Sequence, residues 1–291
     1  MTEFLQQISN GLAAGAIYAL IAVGYSLVYG VLELINFAHG DVFMFATFAA
    51  VAFLLSGLPA PLAIVLALAV GAVLGLLIER FAYRPLRSAN RLAPTITAVG
   101  AALILENAAV LLWGPQTRPF PMQPPDGLIN LFGATVTTLQ IAILVIAAAM
   151  GLLIYGVVQH TEWGRAMRAI RDDPATAQLI GIPVDRTVAT VYALGAVLGV
   201  VGGLLYAVYY NAVFVGMGFA GTMNAFVAAV IGGIGSLRGA FVGGILLGVL
   251  QALAVGYVAS GFENSVAFLV MIVVLLIRPY GLFGSPRATR I

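Results

Sequence analysis

Long, nearly unbroken apolar runs constrain this chain more than any other feature. Leu62–Ile78, Leu139–Val158 and Val188–Val208 each approach the roughly 20 residues a helix needs to cross a bilayer. The strands of a membrane barrel would instead read as roughly ten-residue segments of strict apolar and polar alternation. Composition agrees: 62% of the 291 residues are hydrophobic and 8% are charged, with a mean hydropathy of +1.07. Soluble domains carry roughly 45–50% apolar and about 25% charged residues. A surface with so few charges is solvated by lipid, so the sequence predicts an all-α protein that crosses the membrane many times.

Apolar runs and their breaks predict about eight or nine spans, near residues 10–32, 41–56, 61–79, 95–113, 139–158, 188–210, 221–234, 240–259 and 265–278. The seventh is short and glycine-rich, which predicts a broken or half-membrane helix; one or two such segments are expected. The longest polar loops are too short for a second domain, so residues 1–291 read as one membrane domain. No internal repeat is evident, although inverted repeats of transporters can leave little trace in one sequence. Residues 1–10 lack the basic flank of a cleavable signal peptide, so the first run is expected to stay in the mature protein.

All thirteen basic residues are arginine. Without lysine there is no Walker A side chain for nucleotide phosphates and no Schiff base. Without cysteine there are no disulfides or thiolate metal sites, and His39 and His160 lie too far apart in sequence for a metal-ligand motif. Neither a resident cofactor nor a metal is expected. Arg80, Arg84, Arg87 and Arg91 form one cluster, Arg165, Arg168, Arg171 and Arg186 a second, and Arg278, Arg287 and Arg290 a third. The positive-inside rule makes these clusters cytoplasmic and the proline-rich loop 114–138 external, with the N-terminus outside and the C-terminus inside. If the seventh segment does not cross, this parity fails.

Four groups of residues invite a functional reading. Glu33, Asn36, His39, Gly40 and Asp41 crowd the first break, where Gly40 is expected to interrupt the helix. The segment reads either as a surface loop with Asp41 capping the next helix, or as a discontinuous element on a substrate path. Glu106 and Asn107 lie inside a span, where a carboxylate costs about 2.5–3.5 kcal/mol and belongs in the bundle interior or a wet cavity. In the loop 159–187, Thr161 is expected to start a short helix carrying Arg165, Arg168 and Asp172 on one face. Asp173-Pro174 caps a second helix that Gly181 stops, with Pro183 beyond. Such a helical pair exceeds what attraction to anionic lipid requires and suits docking of another protein. Finally, Gly232-Gly-Ile-Gly-Ser-Leu-Arg-Gly239 reads as a bend and close helix contact, and Ser260-Gly-Phe-Glu263 as a capping box.

These stretches resemble the LivH-type permeases of branched-chain amino acid ABC importers over essentially the whole length. The resemblance rests on Gly15-Ala-Ile-Tyr-Ala-Leu20, Asn36-Phe-Ala-His-Gly-Asp41, Gly164-Arg-Ala-Met-Arg-Ala-Ile-Arg-Asp-Asp-Pro174 with Gly181-Ile182, and Gly232-Gly-Ile-Gly-Ser236. It implies a type II-like importer permease in the bacterial inner membrane. Its partners would be a second related permease, in a homodimer or heterodimer, two cytoplasmic ATPases that use ATP and magnesium, and a periplasmic binding protein. It also implies that Gly164, Arg165, Arg168, Arg171, Asp172, Asp173, Gly181 and Ile182 form the ATPase-coupling segment. Asn36, His39, Gly40, Asp41, Glu106 and Asn107 would relieve a zwitterionic substrate along its path. Charge reversal at Arg168 is then expected to uncouple hydrolysis from uptake. Relatives of this type serve branched-chain amino acids, other amino acids or small amides such as urea. The rival reading is an ion-coupled secondary transporter using Glu33, Asp41 and Glu106 as a proton relay.

Overall fold

The computed structural model describes residues 2–87, 92–122, 127–131, 133–258 and 260–284. Arg91, Arg287 and Arg290 fall outside them. Among the described residues six helices are long and apolar enough to span a bilayer: α1 (Thr2–Leu32), α3 (Ala60–Ile78, extended by irregular turns to Leu86), α4 (Leu92–Trp113), α5 (Thr138–His160), α8 (Val184–Tyr210) and α10 (Leu237–Tyr257). Three shorter apolar helices, α2 (His39–Leu55), α9 (Met217–Gly232) and α11 (Glu263–Ile277), bring the count close to the eight or nine expected segments. Two short polar helices, α6 (Glu162–Asp172) and α7 (Pro174–Leu179), fill the loop between α5 and α8.

The ends of the bundle differ in chemistry. At one end Arg84 and Arg87 pair with Asp185, Arg168 donates to the Val158 carbonyl and the Arg238 guanidinium lies 4.3 Å from the Tyr155 ring centroid. At the other end the loop expected after α4 contains a feature the sequence did not show, an antiparallel hairpin of β1 (Leu128–Leu131) and β2 (Ala134–Thr137). Thr137 then starts α5 with a full capping box, its hydroxyl accepting from the Gln140 amide (3.1 Å) and the Gln140 side chain accepting from the Thr137 amide (2.9 Å). Gln6 bonds both backbone groups of Thr135, fixing the start of α1 at this hairpin end. Phe262 occupies the cap position of α11 and makes no side-chain cap bond; the side chains of Ser260 and Glu263, which the expected capping box needs, lie outside the described residues.

α1 is buried around nearly its whole circumference from Gly11 to Val31 because α5, α8, α9 and α10 enclose it. Small residues permit this. A Cβ on Gly248 of α10 would lie 2.2 Å from the Gly15 nitrogen of α1, so the two backbones touch.

A second pattern organises the bundle. α1 ends at the arginine end, where Gly30 meets Gly235, whereas α8 ends at the hairpin end, where Asn211 accepts from the Phe120 amide. Each helix is followed by a re-entrant segment that returns to the middle of the bundle, and then by a half-length helix. One constant spacing relates the two units. Glu33 (φ 56°) corresponds to Asn211 (φ 48°), and these are the left-handed non-glycine residues among those described. Ala38 and Gly216 hold the caps of α2 and α9 with nearly equal dihedrals. The bond from the His39 amide to the Asn36 carbonyl (3.3 Å) corresponds to that from Met217 to Phe214 (3.1 Å). The chain is thus an inverted repeat about an axis in the bundle midplane. Each re-entrant segment and its half-helix together make one crossing, so the N-terminal and C-terminal described residues lie at opposite ends.

Candidate functional site: a mid-bundle crossing and a capped helical pair

The two half-helices start at the same level and their first turns touch. A Cβ on Gly40 would lie 1.9 Å from the Gly218 carbonyl oxygen and 2.0 Å from the Thr222 hydroxyl, and one on Gly218 would meet the Asp41 carboxylate at 2.7 Å. At Gly40 only glycine allows this approach, because the nearest overlapping atom is backbone; at Gly218 the fit is tight against the Asp41 side chain and the Gly40 backbone at 3.0 Å. Gly40 is therefore not the expected helix break; it is the second residue of α2, and the break is the non-helical segment 33–38. Nor does Asp41 cap the helix. It sits in the first turn, buried, where the positive end of the helix dipole favours a carboxylate.

His39 is fully inside, with its ring wedged against Gly24 of α1 and Gly199 of α8 and its Nε2 lacking a hydrogen-bond partner. Its edge meets Tyr25 at a centroid distance of 6.1 Å. Asn36 is buried beside the Tyr83 hydroxyl, which lies 3.3 Å from its Oδ1. Asn36, His39, Gly40 and Asp41 are thus one constellation along the re-entrant segment and the crossing. Glu106 and Asn107 are set apart on α4, which packs against α2 and presents most of its surface outward. Glu106 is half-buried within electrostatic reach of Asp41. Asn107 does not point into the interior of this chain: it is exposed, and its Nδ2 bonds its own helix at the Leu103 carbonyl (2.7 Å). The arrangement offers polar groups and two converging helix N-termini midway through an apolar bundle. No group of three or more His, Asp or Glu that could hold a metal occurs among the described residues.

At the arginine end the helical pair is built as its sequence dictates. The Thr161 hydroxyl accepts from the Gly164 amide (3.2 Å) to start α6. Asp173 starts α7, accepting from the amides of Ala175 (2.9 Å) and Thr176 (3.3 Å), with Pro174 at the first helical position. Gly181 stops it at φ 87°. The arginines do not share one environment, however. Arg165 is exposed beside Glu162, and Arg171 is loosely paired with Asp172. Arg168 instead turns inward to bond the Val158 carbonyl near the end of α5, so it secures α6 to the bundle. Gly164 is pressed against the same carbonyl, where a Cβ would lie 1.9 Å away. Two residues missed in the sequence stand out here: Leu179 and Ile180 are 87% and 70% exposed at the tip of the pair, away from the spanning segments. Their apolar character at the end of a polar helix was the available signal.

A bundle of spanning helices, two half-helices meeting at mid-depth and a capped helical pair at the basic end define a multi-pass membrane permease. Residues 7–277 match the family described as branched-chain amino acid transport system, permease component, and the chain belongs to that family. It is 37% identical to the high-affinity branched-chain amino acid transport system permease protein LivH of Salmonella typhimurium, over 99% of this chain and 98% of that protein. It is 38% identical to the corresponding permease protein BraD of Pseudomonas aeruginosa, over the same shares. Among solved structures, PsaBC from Streptococcus pneumoniae shares the fold, with a TM-score of 0.53 at 16% identity over 95% of this chain and 92% of that one.

Proposed function

We propose that this chain is one half of the pore of an ATP-driven importer of branched-chain amino acids or related small amino acids and amides. The α6–α7 pair carries this reading: it is a rigid, doubly capped projection with exposed Leu179 and Ile180 at its tip, on a chain with no lysine and hence no P-loop. An apolar tip framed by charge is the chemistry of a protein contact. In this reading two ATPases hold the pairs of two related permeases, which places the arginine end in the cytoplasm of a bacterial inner membrane. A periplasmic binding protein delivers substrate at the hairpin end. ATP and magnesium belong to the ATPases, and this chain carries out no catalysis. The names of the relatives support leucine, isoleucine and valine as substrates.

Asn36, His39, Gly40 and Asp41 then flank the path where the half-helices meet, with Glu106 and Asn107 on the α4 side. Arg165, Arg171, Asp172, Asp173, Gly181 and Ile182 belong to the docking segment, and Gly164 and Arg168 fix its position. Because Arg168 also secures α6, Leu179 is the cleaner test. Leu179→Glu is expected to reach the membrane in normal amount yet to lose at least nine-tenths of the co-purifying ATPase. Normal recovery of the ATPase with that variant would refute the docking role.

A further inference from the structure

The two re-entrant segments are each tethered at the same repeat position, by different means. At the hairpin end Val213 exchanges two backbone hydrogen bonds with Arg118 (2.9 and 2.8 Å), and Asn211 accepts from the Phe120 amide (3.2 Å). The residue equivalent to Val213 is Ile35. Its carbonyl accepts a 3.0 Å bond from the Tyr83 hydroxyl, which also reaches Asn36 Oδ1 at 3.3 Å. A backbone strap thus holds one segment at this position, and the Tyr83 phenol holds the other.

That phenol stands on an irregular turn. Residues Glu79–Tyr83 form a π-helix at the end of α3, closed by a bond from the Arg84 amide to the Glu79 carbonyl. Such turns insert one residue beyond α-helical register, which makes them natural sites of a local shift. The turn is also wired outward. The buried Glu79 carboxylate pairs with Arg87; Arg87 pairs with Asp185 (2.9 Å), and Arg84 pairs with Asp185 as well. Asp185 is the second residue of α8, directly after α7 and its turn. A continuous link therefore runs from the α6–α7 pair along the backbone to Asp185, through its ion pairs with Arg84 and Arg87 to Glu79, along the π-helical turn to Tyr83, and by the phenol to the loop that leads to the crossing.

We propose that Tyr83 is a latch on the arginine-side gate formed by residues 33–38, and that Asp185 is the point where movement of α6–α7 releases it. The proposal rests on the reading of α6–α7 as the ATPase dock. Displacement of α7 carries Asp185 with it, draws Arg84 and Arg87, and shifts the π-helical turn. Tyr83 then leaves Ile35, freeing the segment in front of α2. The hairpin-side segment has no such connection among the described residues, so the input reaches one gate only. Tyr83 acts as a positioning residue and need not touch substrate.

The test uses the whole transporter, reconstituted with its ATPases, second permease and binding protein, with radiolabelled leucine as probe. Tyr83→Phe removes only the hydroxyl, and Asp185→Asn removes only the charge that holds the arginines. Each is expected to assemble normally, to raise substrate-independent hydrolysis at least threefold and to cut leucine carried per ATP at least fivefold. Because both act in one chain of contacts, the double variant should be no worse than the more affected single one. A purely structural role would lower assembly and leave substrate-independent hydrolysis unchanged. Wild-type coupling in both single variants, or effects that multiply in the double, would overturn the latch. Leu179→Glu separates the two layers. Loss of the ATPase there alongside unchanged Tyr83→Phe and Asp185→Asn defeats the latch alone, whereas retention of the ATPase defeats the dock and with it the latch's input.

Discussion

At the scale of residues, contact distance decides which glycines matter. Gly40 and Gly156 are both helical, yet a Cβ on Gly40 would meet the Gly218 oxygen at 1.9 Å whereas one on Gly156 meets nothing within 4 Å. The neighbour at Gly40 is backbone of a packed helix and cannot rotate away. Gly40→Ala is therefore expected to cost about 3 kcal/mol or more, at the upper end of ordinary overpacking, and to reduce recovery of folded protein. Gly156→Ala should stabilise by ~0.5–1 kcal/mol, the usual gain inside a helix. Thermal unfolding of the detergent-solubilised proteins distinguishes them. The sequence could not rank these glycines, because the partner of Gly40 lies far along the chain on the other half of the repeat. Asn107 fails for a similar reason: periodicity locates a polar residue within a span but does not say which neighbour covers that face.

Among elements, those governed by local chemistry were legible and those governed by distant contacts were not. Thr161, Asp173-Pro174 and Gly181 announced α6 and α7, and the structure places their caps where the sequence did. The half-helices were harder. α2 is as apolar as a full span, and its missing first half is visible only because His39 meets Gly199 midway along α8. The π-helical turn at Glu79–Tyr83 leaves no sequence pattern; its Glu79 pairs with Arg87, which in turn pairs with Asp185 of α8, a partner distant in sequence. The cap of α7 permits a direct prediction. Asp173→Ala removes the bonds to Ala175, Thr176 and the Thr176 hydroxyl and should cost α7 about 1 kcal/mol. Amide exchange at residues 175–177 should then run about fivefold faster. Asp173→Asn should keep most of the protection, and unchanged exchange in the alanine variant would show that tertiary packing alone holds α7.

For the molecule as a whole, class and number of segments followed from apolar run length, while the repeat was hidden. Few identities, such as Gly40 with Gly218 and Gly57 with Gly235, survive between its halves. What survives is backbone geometry: the left-handed pair Glu33 and Asn211, and matching positive φ at Gly57 (87°) and Gly235 (84°). Inversion also explains how both half-helices contribute full crossings and how their N-termini come to meet. In the proposed reading, this path is driven from outside the chain, by ATPases seated on α6–α7. The most direct measurement compares leucine accumulation in proteoliposomes holding this chain alone with accumulation in those holding the assembled transporter. Accumulation is expected only with the partners, the binding protein and ATP inside, and none by the lone chain under any ion gradient. Accumulation of leucine by the lone chain under a proton or sodium gradient would contradict it.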